Sequence, residues 1–378
     1  MHRATSHATS THGLHGKARS MSLSSTALGV LVAGFSGTAL PGEIERLAAR
    51  GLAGTIVFKR NFGAERPLET AATLLARIAA LGDFPLLSCI DEEGGRVRRL
   101  GAPVPQLPRA RVLGAIDDPA LTERAAFALG HALDALGVNV DFAPIIDVDT
   151  NPENPIIGDR AFGSTPEQVV RHALPFAAGL RRAGILSCGK HFPGHGDTDL
   201  DSHLALPRVP HGRERLDAVE LPPFRAARGA MPLVMTAHVV FSAIEPALPA
   251  TLSRKVITDL LRGELGYDGV IVSDDLEMKA VADHFGVAAS ATAAIEAGCD
   301  VLLVCEHLER LHEAHEALVK RAEKDAGFRA RLEEAHGRIA ALRRTLPRRT
   351  PAPLPELVHA LETGPGPAVL AEIARRAG

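Results

Sequence analysis

The densest collection of chemically capable side chains lies in residues 190–203, KHFPGHGDTDLDSH, where His191, His195 and His203 share one loop with Asp197, Asp199 and Asp201 directly after an apolar run. A strand ending in a glycine-containing, His- and Asp-rich loop is where an α/β protein places acids, bases or metal ligands. The strand fixes the loop's root, and the glycines leave the loop able to move. A solvated turn needs only Gly, Pro, Asn, Asp and Ser, so it does not account for the imidazoles. Two chemistries suit them. The histidines and aspartates could hold a divalent metal, although no HxH or HExxH spacing is present. Alternatively Asp201 and His203, two apart in an extended loop and so projecting to one side, form a dyad. Its carboxylate would orient the imidazole and favour the protonated form, giving an acid/base group that titrates near neutrality.

Other clusters also follow apolar runs. GVIVSDDL ends a strand-like stretch with Asp274 and Asp275; side chains alternate along a strand, so at most one should point down the axis of a barrel. One is a nucleophile candidate, and Asp275 is expected to cap the next helix or pair with a cation. IDEEGGRVRRL sets Asp91, Glu92 and Glu93 beside Arg96, Arg98 and Arg99. That mixture suits fork-like hydrogen bonding to ligand hydroxyls or carboxylates, or a structural ion-pair network. Arg160, in GDRAFG, follows a loop bearing Asp147, Asp149 and Asn151. PATLSR reads as a turn in which Ser253 caps the following helix.

The elements that must position these groups alternate. Apolar runs at 28–33, 54–58, 85–90, 138–143, 185–189, 232–237, 269–272 and 300–305 are separated by segments with helical spacing at 43–49, 68–81, 121–136, 166–182, 213–228, 254–265 and 288–297. Eight such units predict an α/β protein with a closed (β/α)8 TIM barrel. An open doubly wound sheet shares the alternation but collects its site at one switch point. Here the polar clusters follow many different strands, which favours the barrel. The predicted organisation is an N-terminal extension over 1–24, expected to be disordered or to precede a true start at Met21, then a single barrel domain over 25–306. C-terminal helices over 307–378 follow, packed on or trailing the barrel, with charged helical segments at 308–324 and 328–346. Residues 27–35 follow a few basic residues and superficially imitate a secretory signal. Two glycines interrupt them, however, and the following units need a first strand, so a strand is the preferred reading, with export as the alternative.

Composition narrows the partners. The chain has 378 residues, is 46% hydrophobic, and carries a formal charge of −3, one Tyr and no Trp. With only 4% aromatic residues and no overall basic field, it is poorly suited to nucleic-acid binding that relies on stacking or on attraction of phosphates. No run approaches the length of a membrane span. Cys89, Cys188, Cys299 and Cys305 lie in or beside apolar runs without CxxC spacing and read as reduced core residues, which suits a cytoplasmic location. A small-molecule partner and a monomer are expected.

The motifs KHFPGHG followed by DSH, with IDEEGGRVRRL, VDFAPIIDVD, IGDRAFG, VMTAHV and VSDDLEM in this order, resemble glycoside hydrolase family 3. The resemblance is to its single-domain β-N-acetylglucosaminidases of peptidoglycan recycling, and it spans roughly residues 28–305. It implies a (β/α)8 barrel, hydrolysis with retention at the anomeric carbon, and no cofactor. It further implies Asp274 as nucleophile, His203 as general acid and then base with Asp201 behind it, and sugar contacts from Asp91, Arg99, Arg160, Lys190 and His191. The expected substrate is a muropeptide in which GlcNAc is β-1,4-linked to 1,6-anhydro-N-acetylmuramic acid. Retaining hydrolysis conventionally uses two carboxyl groups about 5–5.5 Å apart; here a loop imidazole takes the second role. Four readings remain open beside it: a phosphorylase with the same site, a metal-dependent barrel hydrolase, attack by the substrate's own acetamido group, and a non-enzymatic sugar-binding protein. Asp197 and Asp199 make the loop more acidic than the family pattern.

Overall fold

Runs that are apolar on both faces, as a covered parallel sheet requires, form the strands β1 (Leu31–Ala33), β2 (Gly54–Ile56), β3 (Leu87–Ile90), β4 (Val140–Asp141), β5 (Leu186–Phe192), β6 (Leu233–Thr236), β7 (Val270–Asp275) and β8 (Val301–Val304). The structure is a computed structural model that describes residues 22–199, 202 and 206–377. Neighbours in sequence pair in parallel, and β1 also pairs with β8 through Leu31↔Leu302, Val32↔Leu303 and Ala33↔Val304. The ring is closed, and the fold is the predicted (β/α)8 barrel. Two strands run past their predicted ends, β5 to Phe192 and β7 to Asp275. Lys190, His191, Asp274 and Asp275 therefore stand on strands rather than on loops.

Local chemistry explains where the surrounding helices start. Thr165 accepts from Gln168 N at 3.3 Å and Asp118 from Leu121 N at 3.0 Å; a proline follows each cap, where a missing N–H costs nothing. The two helices, Pro166–Arg182 and Pro119–Ala135, meet closely at Gly179, where a Cβ would come within 2.3 Å of the Glu123 carbonyl oxygen. Ser22 and Leu23, the end of the predicted tail, are the N-cap and first residue of a helix, Leu23–Leu28. Residues 1–21 of that tail lie outside the described residues. Residues 27–35 are buried throughout, ending this helix and forming β1.

Helix Leu308–Lys324 follows β8 and packs on β1, on Val287–Ala297 and on Leu23–Leu28, covering the seam where the ring closes. Helices Leu354–Thr363 and Gly366–Ala377 bury Leu357, Leu361, Val369 and Ile373, the latter pair of elements packing on Pro119–Ala135. Among the described residues no helix is long and apolar enough to cross a membrane.

Candidate active site

A cavity of about 850 Å³ opens at the C-terminal ends of the strands, the face where barrel enzymes hold their chemistry. Ile56, Asp91, Phe142, Lys190, Met235, Asp274 and Leu303 reach it from β2 through β8 or from the residue just after the strand.

Its floor is a chain of alternating charges. Lys190, 2% exposed, sits 2.7 Å from both Asp91 Oδ1 and Glu93 Oε1. Arg160 Nε and Nη2 donate in parallel to Glu93 at 2.8 Å each, and Arg99 Nη2 donates to Asp91 Oδ2 at 3.3 Å. Such a chain is stable in a low-dielectric site only when every charge is paired. Burial pushes the Asp91 and Glu93 carboxyls up, but Lys190 with Arg99 for the first, and Arg160 with Lys190 for the second, outweigh it and hold both below the usual range. Burial acts against the Lys190 ammonium, and the two carboxylates reverse the balance and raise its pKa. Asp91, Glu93 and Lys190 are therefore all ionised at neutral pH. Arg99 also lies over the Phe58 ring, 5.3 Å from its centroid, and its Nε–H is buried with no partner among the described residues.

Asp147, 1% exposed, organises the root of the His/Asp loop. Its carboxylate accepts from His191 N at 3.1 Å, from His191 Nδ1 at 2.8 Å and from His195 N at 2.7 Å. Burial raises this carboxyl too, but the His191 imidazole brings it below its ordinary value. Gly196 has to be glycine: a Cβ there would lie 1.8 Å from the Val148 carbonyl oxygen. Further out, Asp197 accepts from Thr150 Oγ1 at 2.7 Å and is paired with His211, so the first added acid of the loop is tied to the barrel.

Asp274 and Asp275 both border the cavity. Asp274 Oδ1 accepts from Asp275 N at 2.8 Å. Asp275 does not cap the next helix, Lys279–Phe285, whose N-cap is Met278. Its Oδ1 accepts from Glu277 N at 3.0 Å and Cys305 N at 3.2 Å, bracing the tip of β7 against the end of β8. Burial, only partly offset by the Glu277 N–H, pushes the Asp275 carboxyl up to about 7.

Of the residues singled out from sequence, Asp91, Arg99, Arg160, Lys190, His191 and Asp274 surround one cavity. Asp201 and His203 lie outside the described residues. Ser202, the residue between them, borders the same cavity and is 2% exposed. Glu93 and Asp147 were visible in the sequence only as members of acidic clusters, with no role of their own, yet each holds two of the predicted sugar-binding or loop residues in place. Glu93 stands two residues beyond Asp91 at a strand end, a spacing that could have marked it as facing the same side. The metal reading meets a physical obstacle at His195, whose ring nitrogens are taken by Thr198 Oγ1 at 2.8 Å and Ser202 Oγ at 3.0 Å. Among the described residues no group of His, Cys, Asp or Glu is arranged to hold a metal.

A barrel with an ion-paired carboxylate and lysine floor and a further carboxylate on β7 is a frame for sugar chemistry, and the chain matches the glycosyl hydrolase family 3 N-terminal domain over residues 39–342. It belongs to that family and is a glycoside hydrolase. It is 44% identical over 75% of its length, and 82% of the relative's, to a β-hexosaminidase of Alkalilimnicola ehrlichii. Among solved structures it is similar to a family 3 β-N-acetylglucosaminidase from a Paenibacillus species, at 40% identity and TM-score 0.84, covering 94% of this chain and 69% of that one. It is likewise similar to native NagZ from Neisseria gonorrhoeae, at 32% identity and TM-score 0.75, covering 93% and 98%.

Proposed function

We propose that the chain is a retaining exo-β-N-acetylglucosaminidase of the β-N-acetylhexosaminidase type, acting on the β-1,4 bond between GlcNAc and 1,6-anhydro-N-acetylmuramic acid in muropeptides. The observation that carries this reading is the shared cavity: Asp274 and Ser202 border the space above the Asp91–Lys190–Arg99 floor. Asp91 keeps spare lone pairs on both oxygens while Lys190 and Arg99 fix its orientation, so it accepts from ring hydroxyls without moving. The Arg99 Nε–H, without a partner among the described residues, and the Arg160 guanidinium supply donors to the sugar and its acetamido group. His191, turned by Asp147, presents Nε2 to the ligand.

In the first step an Asp274 carboxylate oxygen attacks C1 of GlcNAc, the C1–O4 bond breaks, and the leaving oxygen takes a proton from His203. In the second step His203 removes a proton from water, the water oxygen attacks C1, and the ester to Asp274 breaks, restoring the carboxylate. Asp201 stabilises the imidazolium in the alternate half-steps. No cofactor enters. The buried, mutually unpaired thiols suit a cytoplasmic enzyme, and Phe84 as the exposed large hydrophobic of the described surface suits a monomer.

A slow fluorinated GlcNAc donor tests the nucleophile. Peptide mapping is expected to place the label on Asp274, and Asp274→Asn to lose at least roughly 10³-fold in kcat. A label on another residue, or no covalent species with inverted product, sinks the reading. Running the reaction with and without inorganic phosphate distinguishes hydrolase from phosphorylase, since only the latter releases GlcNAc 1-phosphate.

A further inference from the structure

Hydrogen bonds hold His195 from its backbone and from both ring nitrogens. Asn154 Oδ1 accepts from Ile156 N at 2.9 Å and Ile157 N at 2.8 Å. Its Nδ2 consequently faces the other way and donates to His195 O at 2.9 Å and to Thr198 Oγ1 at 3.3 Å. Thr198 Oγ1 lies 3.2 Å from His195 O and 2.8 Å from His195 Nδ1. The other ring nitrogen, Nε2, lies 3.0 Å from Ser202 Oγ. Each ring nitrogen thus has a hydroxyl partner, and a hydroxyl can donate or accept. Burial, reinforced by the neighbouring His191, pushes His195 down to about 4, which keeps the ring neutral in the working range.

Ser202 is held from a second side. Its carbonyl accepts from Ala280 N at 3.3 Å, at the start of the helix that follows the β7 tip bearing Asp274. One residue thus connects the root of the His/Asp loop, through a side chain, to the element behind the nucleophile, through the backbone. Its covalent neighbours on either side are Asp201 and His203.

We propose that Ser202 is a positioning residue for acid/base catalysis: its hydroxyl is hydrogen-bonded to His195 Nε2 and its carbonyl to Ala280 N, and this double attachment restrains the stretch of chain that carries Asp201 and His203. The proposal rests on His203 being the acid/base group. Neither Ser202 nor His195 touches the reacting atoms in this scheme. Their effect is confined to steps in which a proton must be delivered, and binding of the GlcNAc ring is untouched.

The test compares kcat/KM, which reports glycosylation, for a dinitrophenyl GlcNAc whose leaving group needs no proton and for an alkyl GlcNAc that needs one. Ser202→Ala is expected to lose roughly tenfold on the alkyl substrate, the value of one hydrogen bond, and to keep its rate on the dinitrophenyl substrate. Ser202→Thr, retaining the hydroxyl, recovers the loss, and His195→Phe, a ring without a hydrogen-bonding nitrogen, reproduces it. His203→Ala shows the same split more strongly. Equal effects of Ser202→Ala on both substrates, including no effect, overturn the positioning role while a split in His203→Ala leaves the acid/base reading standing. No split in His203→Ala removes both.

Discussion

Removing the Lys190 ammonium leaves the largely buried Asp91 and Glu93 carboxylates without the cation between them, with only Arg99 and Arg160 at their outer edges. Breaking one partner out of a buried ion network costs far more than the network itself contributes. Lys190→Met is therefore expected to lower the unfolding free energy by about 3–5 kcal/mol, measured by urea titration at pH 7. The loss should shrink as pH falls, because Asp91 and Glu93 titrate below their unfolded values in the intact protein. Stability from such depressed carboxyls is present above the unfolded carboxylate range and disappears as pH drops through the folded value. In acid the wild type loses what the variant has already lost, and the two curves converge. Divergence toward low pH contradicts the assignment.

At the scale of elements the tip of β7 carries the opposite sign. Asp275 is raised to about 7, so it stays protonated in the folded protein where the unfolded chain is already ionised. Its contribution is fully present below the unfolded pKa and declines as pH rises toward 7. Asp275→Asn keeps an acceptor for Glu277 N and Cys305 N and removes the titration. Its unfolding free energy is expected to fall less than the wild type's between pH 5 and 8, and an identical slope would falsify that account. The same tip shows what can be read from a sequence. The apolar run before Ser273 marks the strand, because a parallel strand covered on both faces must be apolar throughout, and all eight runs became strands. The strand's extension through Asp275 is not legible, since it depends on pairing of Asp275 with Leu303 across a register shift. Asp91, Lys190 and Asp274 were visible as polar residues at strand ends, but recognition of their motifs was needed to tell them from neighbours such as Asp275 and Asp147. Which acid faces Lys190 is decided by residues about a hundred positions apart, beyond the reach of any local period. Short helices at Ala110–Ile116 and Lys279–Phe285 carry too few turns to show one.

Across the whole molecule the last two helices cover the barrel from the side away from β7. Glu372 bridges Arg124 at 2.7 Å, and Arg376 reaches Asp118, which also caps the helix beneath. Exposed pairs of this kind contribute little; the four buried apolar side chains contribute more, each roughly 1.5–3 kcal/mol when fully covered. Ending the chain after Pro353 is expected to lower Tm clearly in a thermal scan while leaving KM for aryl GlcNAc within about twofold, since none of these residues borders the cavity. A large rise in KM with unchanged Tm reverses that order of effects.

The pairing of Leu31 with Leu302 makes the first strand wait for the last. During synthesis at the ribosome β1 stays with one naked flank until Val304 has cleared the exit tunnel, and the growing end of the sheet always presents another. Nascent chains interrupted before that point display two unsatisfied ladders at once. They are the species a cell's chaperones should meet most often when translation of this message stalls.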